Sequence, residues 1–326
     1  MIRVFKFGRM NCTPFNCEED LNFLEKKGIY ITNDLISCDI ILTARLHRLT
    51  PFRFIFGYSK KYLAWTNEPR YDTTFKNRDK GFLWIPDAHI MNVYTGDIFT
   101  SNSSLPIFEQ CYRQYWVKAN QLQPLDKDFK FQNRKVVAIM GYKGDQKRLS
   151  LKKQGRELDL SYLRTQIALA GYKMGKVDIY GYYWPDNISL EVSRGEGYYD
   201  SYRNRKAEIL KKYNFNLCFE NTNFDYYCTE KIWDSIQYGC LPIYYSEGNK
   251  IYENFPKNSF IDYSEFENPA ELFNFIGNMD IEEFRTRMNL CIEVFNRIQE
   301  KLKCSNLYED LLMRIVEKFQ KIMSEY

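Results

Sequence analysis

Between Cys218 and Tyr245 the chain reads CFENTNFDYYCTEKIWDSIQYGCLPIYY. Glu220, Asn221, Tyr227, Glu230 and Lys231 crowd between an apolar run and a helical pattern, and a second apolar run follows at once. Polar groups in that position do nothing for a core; they are the residue types that hold a polar ligand. Phe215–Phe219 reads as a strand that delivers Glu220 and Asn221 at its carboxyl end. Thr229 stands where a hydroxyl caps the next helix. Ile232 and Ile236, one turn apart, form its buried stripe, with Trp233 at the margin. The first N–H groups of a helix are unpaired and carry partial positive charge, which makes that end an anion site. A cation is normally disfavoured there, so Lys231 has two readings. It is either an exposed lysine with no task or the partner of a strongly negative group such as a diphosphate. Glu230 suits the helix dipole in both cases and can also accept hydrogen bonds from sugar hydroxyls. Tyr227 can pack on a base or sugar face.

A second carboxylate stands elsewhere. Tyr62–Thr66 reads as a strand, and Asn67-Glu68-Pro69 follows its carboxyl end. Glu68 is placed to act as a general base, with Pro69 stiffening its loop; an ordinary loop glutamate is the other reading. Asp87, in Ile85-Pro86-Asp87, is the rival base, and Asp39 reads as structural. Asp126-Lys127-Asp128 has the spacing of a metal-binding pair but sits in a polar, aperiodic stretch, where a solvated loop is expected. The basic run Lys143–Arg156 faces either a phosphate or solvent. With nine Cys, no Cys-x-x-Cys pair and two His, no zinc site is expected.

These residues need elements to position them. Ile2–Phe5, Asp39–Thr43 and Tyr62–Thr66 read as strands, Asp20–Lys27 and Leu105–Trp116 as helices. Lys118–Arg134 is the linker candidate. Alternation then restarts: strand Lys135–Met140, helix Leu160–Tyr172, strand Lys176–Gly181, helix from Lys206, strand Phe215–Phe219, helix Glu230–Tyr238 stopped by Gly239, strands Leu241–Tyr245 and Ser259–Asp262, and three closing helices. Short apolar runs alternating with helical patterns predict α/β architecture with parallel sheets. The expected domains are 1–125, 126–302 and a C-terminal helix at 303–326. Ligands of such sheets bind outside the carboxyl ends of the strands, where both polar clusters fall.

At 326 residues, 44% hydrophobic and 27% charged, the chain is globular and long enough for two domains. A net charge of +4 is too small to argue for nucleic acid. The 26 Tyr fit a sugar-binding cleft or biased usage. MIRVFKFGRM reads as a strand rather than a signal peptide, and no run approaches the ~18 apolar residues of a membrane span. The expectation is a soluble, cytoplasmic protein with reduced thiols.

The residues also resemble a family. Asn216-Leu217-Cys218-Phe219-Glu220-Asn221, Tyr227, Thr229-Glu230-Lys231-Ile232, Asp234, Gly239, Pro242-Ile243-Tyr244 and Asn258-Ser259-Phe260-Ile261-Asp262 are similar to the donor-site signature of the α-1,3/1,4-fucosyltransferases, glycosyltransferase family ten. The resemblance implies a GT-B fold, two Rossmann-like domains facing across a cleft. It implies GDP-β-L-fucose as donor, a glycan acceptor carrying GlcNAc or Glc, and an inverting transfer that needs no metal or other cofactor. Lys231 and Arg164 would hold the diphosphate; Asn221, Tyr227 and Glu230 would contact nucleotide or fucose. Glu68 would be the base, after an aromatic strand and before a proline.

The amino-terminal half departs from the family. The Tyr-Arg-x-Asp-Ser-Asp type of stretch that animal members carry after the catalytic glutamate is not found, which leaves the acceptor open. Neither a Golgi anchor nor heptad repeats with a basic tail are seen, so a bacterial or viral origin and at most peripheral membrane association are expected. Two alternatives stand beside fucosyl transfer: another GDP sugar, and a catalytically silent module binding glycan or nucleotide.

Overall fold

A computed structural model describes residues 1–10, 13–104, 120–192, 198–304 and 307–325. The chain forms two compact units, Met1–Ala119 with Leu302–Tyr326, and Asn120–Lys301.

Unit 1 is built on strands β1 (Ile2–Phe7), β2 (Ile29–Thr32), β3 (Ile40–Thr43), β4 (Lys61–Thr66), β5 (Arg78–Asp79) and β6 (Ala88–Asn92), in the order β2-β1-β3-β4-β6-β5. All pairings are parallel except β5 with β6. β3 and β6 are buried at every position, as expected of parallel strands covered on both faces. His89 and Asn92 interrupt the apolar pattern of β6, which hides it in the sequence. Helices α1 (Glu18–Lys26) and α2 (Thr50–Phe56) flank this sheet. Arg53 of α2 is buried, donating from Nε to the Pro86 carbonyl at 2.8 Å and from Nη1 to Asp79 at 2.5 Å. The helix expected over Leu105–Trp116 lies outside the described residues.

Unit 2 carries β7 (Val136–Ile139), the hairpin β8 (Lys152–Lys153) and β9 (Arg156–Glu157), then β10 (Val177–Tyr180), β11 (Phe215–Leu217), β12 (Leu241–Tyr244) and β13 (Ile261–Asp262). The main sheet runs β10-β7-β11-β12-β13, entirely parallel. Its order reverses between β7 and β11, the kind of switch point where α/β sheets hold ligands. The helices are α3 (Gln146–Leu149), α4 (Ser161–Lys173), α5 (Tyr198–Leu210), α6 (Glu230–Gln237), α7 (Pro269–Asn278) and α8 (Ile281–Cys304). Two parallel α/β units are the domain content of the GT-B fold.

Three expectations change. The final helix, α9 (Leu307–Ser324), is not a separate piece: it belongs to unit 1. Phe319 packs edge-on against Phe15, and Arg314 donates to the Asp97 carbonyl at 3.0 Å. The linker candidate is no loose tether over residues 120–134. Asn296 and Asn289 of α8 accept the backbone N–H groups of Leu122 (2.8 Å) and Leu125 (2.7 Å), while Phe129 stacks on Phe284. Polar side chains on α8 thus supply the partners that this aperiodic backbone cannot supply itself. The third change concerns the basic run Lys143–Arg156: Lys143, Lys147, Arg148, Lys152 and Arg156 are exposed, as a solvated run requires, but they do not share one helix face. Most of it forms α3 and the hairpin, with Gln154 and Gly155 in left-handed conformation at the turn. Arg156 then donates to the carbonyls of Glu247 and Gly248, both at 2.7 Å.

Candidate functional site

α6 is the scaffold. Ile232, Trp233 and Ile236 are all buried, and sinking side chains of this size stabilises by roughly 1.5–3 kcal/mol each. Trp233 lies not at the stripe's margin but fully inside, its ring 5.3 Å from that of Phe255. The Asn216 amide of β11 donates to Ser235 at 2.7 Å and fixes the helix to the strand. Gly239, with φ 83°, ends the helix as expected.

At the amino end of α6 the capping expectation fails. Thr229 makes no side-chain cap bond. Its hydroxyl instead donates to Glu220 and accepts from Lys231 Nζ at 2.7 Å. Glu220 is 2% exposed and faces inward. It accepts the Thr229 N–H at 2.7 Å and Lys231 Nζ at 3.0 Å. A buried carboxylate thereby clasps the start of the helix to the end of β11, which leaves the Thr229 hydroxyl no reason to turn toward the helix.

The charges continue in alternation. Lys231 Nζ is 3.8 Å from Glu230, which is 3.7 Å from Lys206 Nζ; Lys206 in turn donates to Asp234 at 2.6 Å. Burial acts to raise the Glu230 carboxyl, but Lys231 and Lys206 overcome it and hold the group down to about 2. Burial likewise acts to lower Lys231, yet Glu220 and Glu230 raise it above its ordinary value. Asp234 moves the other way: its burial outweighs Lys206, and its carboxyl is raised. Lys231 is therefore a firmly charged ammonium. Two of its three N–H groups are committed to Glu220 and Thr229. One donor remains, on a side chain that is 25% exposed.

Arg164, on α4, reaches the same strand end. Its Nη1 donates to the Phe219 carbonyl at 2.5 Å, and its Nε is buried without an acceptor. Burial lowers its pKa, against the pull of Glu220 and Asp159. Next to Phe219, Asn221 Oδ1 and Thr222 Oγ1 are also buried and unpartnered. The Asn221 carbonyl accepts from Leu160 N at 3.1 Å and from Ser161 Oγ at 3.2 Å, so α4 begins against this loop. Buried polar atoms without protein partners are uncommon, and three of them fall around this strand end. A cavity of about 260 Å³ opens alongside, lined in part by Asp159, Leu160, Tyr162, Leu163, Gln166 and Tyr245. Small-molecule pockets usually span about 300–1,000 Å³, so its size approaches what a nucleoside needs.

The other expected residues separate clearly. Tyr227 is 6% exposed and offers little ring face to a base or sugar. Glu68 is in unit 1, just beyond β4, and is exposed. Its loop is pinned by backbone contacts: Glu68 N donates to Thr66 Oγ1 at 3.0 Å, and Tyr94 donates to the Pro69 carbonyl at 2.8 Å. Asp87, the rival base, accepts Gly81 N at 2.8 Å and Arg78 at 3.3 Å. These contacts, the Gly81 N–H first, lower its pKa and make it a loop anchor. Asp39 accepts the Arg3 N–H at 2.7 Å, a structural role. Asp126 accepts Asp128 N at 3.0 Å within a local turn. Glu220 stood among the polar groups expected to hold a ligand and instead faces inward, while Thr229, Lys206 and Asp234 were not singled out for ligand contact. Glu220, Thr229 and Asp234 lie within the signature itself; nothing in the spacing of Lys206 points to it.

Residues 160–288 match the model of glycosyltransferase family 10 (fucosyltransferase), C-terminal part. The rat GDP-fucose protein O-fucosyltransferase 3 is 41% identical over 76 residues, which are 23% of this chain and 16% of that protein. The Helicobacter pylori alpha-(1,3)-fucosyltransferase FucT is 39% identical over 71 residues, 22% of this chain and 15% of that protein. The chain thus spans about a sixth of the length of these relatives. A solved alpha1,3-fucosyltransferase with GDP-fucose aligns over 99% of this chain and 90% of its own, at 14% identity and a TM-score of 0.47. Among the described residues, no helix is long and apolar enough to cross a membrane. The segment that carries Arg164, Glu220, Glu230 and Lys231 lies within the match to the glycosyltransferase family 10 (fucosyltransferase) model.

Proposed function

We propose that the chain transfers L-fucose from GDP-β-L-fucose to a hydroxyl of a glycan acceptor. The observation that carries this reading is the arrangement at the end of β11. A charged Lys231 with one uncommitted donor stands there with an Arg164 whose buried Nε has no acceptor. Two such cations at a helix amino end suit a diphosphate, and both lie in the family-matched segment. The relatives named above carry fucosyl transfer in their names.

In this reading the acceptor oxygen attacks the anomeric carbon as the bond to the diphosphate breaks. The electron pair leaves with GDP, and the acceptor proton passes to Glu68. Lys231, Arg164 and the first N–H groups of α6 stabilise the departing charge, the role a metal plays in other transferases. Inversion follows from a single displacement. Asn221 and Glu230 turn toward the nucleotide or sugar, and the cavity beside Asp159 takes part of the nucleoside. Unit 2 serves the donor, and unit 1, through Glu68, the acceptor. An α-1,3 linkage to GlcNAc or Glc is the form of acceptor chemistry proposed.

Calorimetric titration with GDP-fucose in EDTA tests the donor site. Saturable binding that weakens about tenfold or more in Lys231→Ala is expected, the loss of one charge-assisted contact. Tighter binding of another GDP sugar would move the assignment to that sugar. Absence of binding to every nucleotide sugar would leave a silent module.

A further inference from the structure

The carboxyl end of the unit 1 sheet carries cations that the reaction above does not use. β1, β3 and β4 are parallel neighbours, with Phe7, Thr43 and Ala64 in register. At about 4.8 Å between adjacent strands, their ends lie within about 10 Å of one another. Arg9 follows β1, Arg45 and Arg48 follow β3, and Glu68 and Arg70 follow β4. Two contacts draw these exits together. A Cβ on Gly8 would stand 2.9 Å from Arg48 Nη1, so that guanidinium lies directly over the exit of β1. Arg45 lies over the Tyr71 ring, 4.3 Å from its centroid, and Tyr71 N donates to the Glu68 carbonyl at 3.1 Å. Stacking fixes the plane of the Arg45 guanidinium beside the turn that bears Glu68.

Three arginines elsewhere in unit 1 have acidic partners: Arg3 pairs with Asp39, Arg53 with Asp79, and Arg78 with Asp87. Arg9, Arg45 and Arg48 differ. Among the described residues no carboxylate lies within ion-pairing distance of any of the three, and none of their guanidinium groups has a hydrogen-bond acceptor. The acids at this end of the sheet are placed elsewhere. Asp72 is buried and accepts Asn92 Nδ2 at 2.9 Å and Thr74 N at 3.1 Å. Asp97 is 3.8 Å from Lys318 Nζ. Glu18 and Glu19 stand in the first turn of α1, where the helix dipole favours them. Glu68 is the carboxylate assigned to the acceptor proton. Solvent screens the repulsion among the three arginines in the free protein, and together they present a positive field to an incoming anion.

We propose that the acceptor bears an oxyanion, either a carboxylate or a sulfate or phosphate ester, which Arg45 and Arg48 hold while Glu68 faces the attacking hydroxyl. Guanidinium forks match the oxygen pairs of all these groups. This rests on the reading of Glu68 as the base of fucosyl transfer, and it narrows the acceptor from any glycan to an acidic one.

The test titrates acceptor probes without donor, by ligand-observed NMR on the full chain. The probes are lactose, lactose carrying a sulfate or a phosphate on its galactose, and the same disaccharide with galacturonate in place of galactose. The charged probes should bind about tenfold tighter than lactose or better, and the advantage should shrink as salt is raised. Whichever of the ester and uronate probes binds tighter names the source of the oxyanion. Arg45→Gln/Arg48→Gln should lose the advantage. Arg3→Gln, which removes the same charge from the amino end of the sheet, should keep it. If the double variant does not fold, Arg48→Gln decides: that side chain is exposed, and the advantage should fall about threefold or more. Equal binding of lactose and the charged probes, or no binding of any charged probe, would overturn the proposal. So would an advantage that survives the double variant. Weaker GDP-fucose binding in the double variant, with probe binding unchanged, would assign the arginines to the donor instead. Capture of a single-stranded oligonucleotide that the double variant abolishes, without preference among the sugars, would make the partner a nucleic acid. A protein that shows the advantage but binds no nucleotide sugar would lose the transfer reading and keep the anion site.

Discussion

Two glutamates occupy equivalent stations in the two units. Glu68 stands just past the carboxyl end of β4, and Glu220 just past that of β11. The first is exposed, on a loop held by its backbone; the second is 2% exposed and holds Thr229 and Lys231. The difference separates two uses of one side chain. A carboxylate wrapped in donors organises its surroundings and is turned away from any substrate. One presented to solvent on a stiff loop stands where a substrate hydroxyl can approach it. Depth behind the strand end, not residue type, decides which role a glutamate can fill.

The comparison can be broken at either end. Its largest consequence is kinetic. Glu68→Gln should lower turnover about 10²–10⁴-fold while thermal unfolding moves by less than about 0.5 kcal/mol. Unchanged turnover would remove Glu68 from the reaction. The opposite outcome is expected at Glu220. Glu220→Gln leaves Lys231 without its buried counter-charge and should destabilise unit 2 by about 3–5 kcal/mol in chemical denaturation. A variant as stable as the parent would show that the clasp is dispensable.

Lys206 sharpens the same contrast. It lies 3.7 Å from Glu230 and 2.6 Å from Asp234, and it carries no ligand contact in the proposed reaction. Lys206→Met should destabilise by about 3 kcal/mol and weaken GDP-fucose binding more than it slows turnover of bound substrate. A kcat effect without a KM effect would count against positioning.

The pH dependence follows from Glu230. Its carboxyl is held down to about 2 by Lys231 and Lys206 against the effect of burial. A carboxyl depressed on folding stabilises fully above its unfolded value, about 4.3, and that contribution is lost as pH falls through the folded value. Unit 2 should thus lose about 2–3 kcal/mol between pH 5 and pH 2, read by denaturant titration at each pH, and Glu230→Gln should flatten the curve. The smallest effect is reserved for Asp87. Asp87→Asn should leave turnover unchanged and cost less than about 1 kcal/mol, because its partner Arg78 is largely solvated.

Much of this was legible in the residues. Parallel strands buried on both faces appear as apolar runs, and β3, β4, β7, β11 and β12 were found that way. β6 was not, because His89 and Asn92 are buried there through partners that spacing cannot reveal; Asn92, for example, donates to Asp72 at 2.9 Å. Lys231 stood out because a cation at a helix amino end needs a reason. Arg164 was placed by its spacing upstream of the signature, on a helical pattern ahead of the strand Lys176–Gly181. The burial of Tyr227, the inward turn of Glu220 and the diversion of the Thr229 hydroxyl were not legible. Each depends on which donor waits across a loop.

The sequence by itself determined the alternation of strands and helices, the apolar stripe of α6 and the charge types at its amino end. Those are properties of near neighbours, set by side-chain period and backbone chemistry. Tertiary structure alone brought Lys206 of α5 against Glu230 and Asp234 of α6, sent α9 back to unit 1, and collected Ile36, Tyr58 and Trp84 at one edge of a sheet. Such meetings join residues far apart in the chain, and they arise only when parallel strands stack in order and pull their flanking segments to a common end.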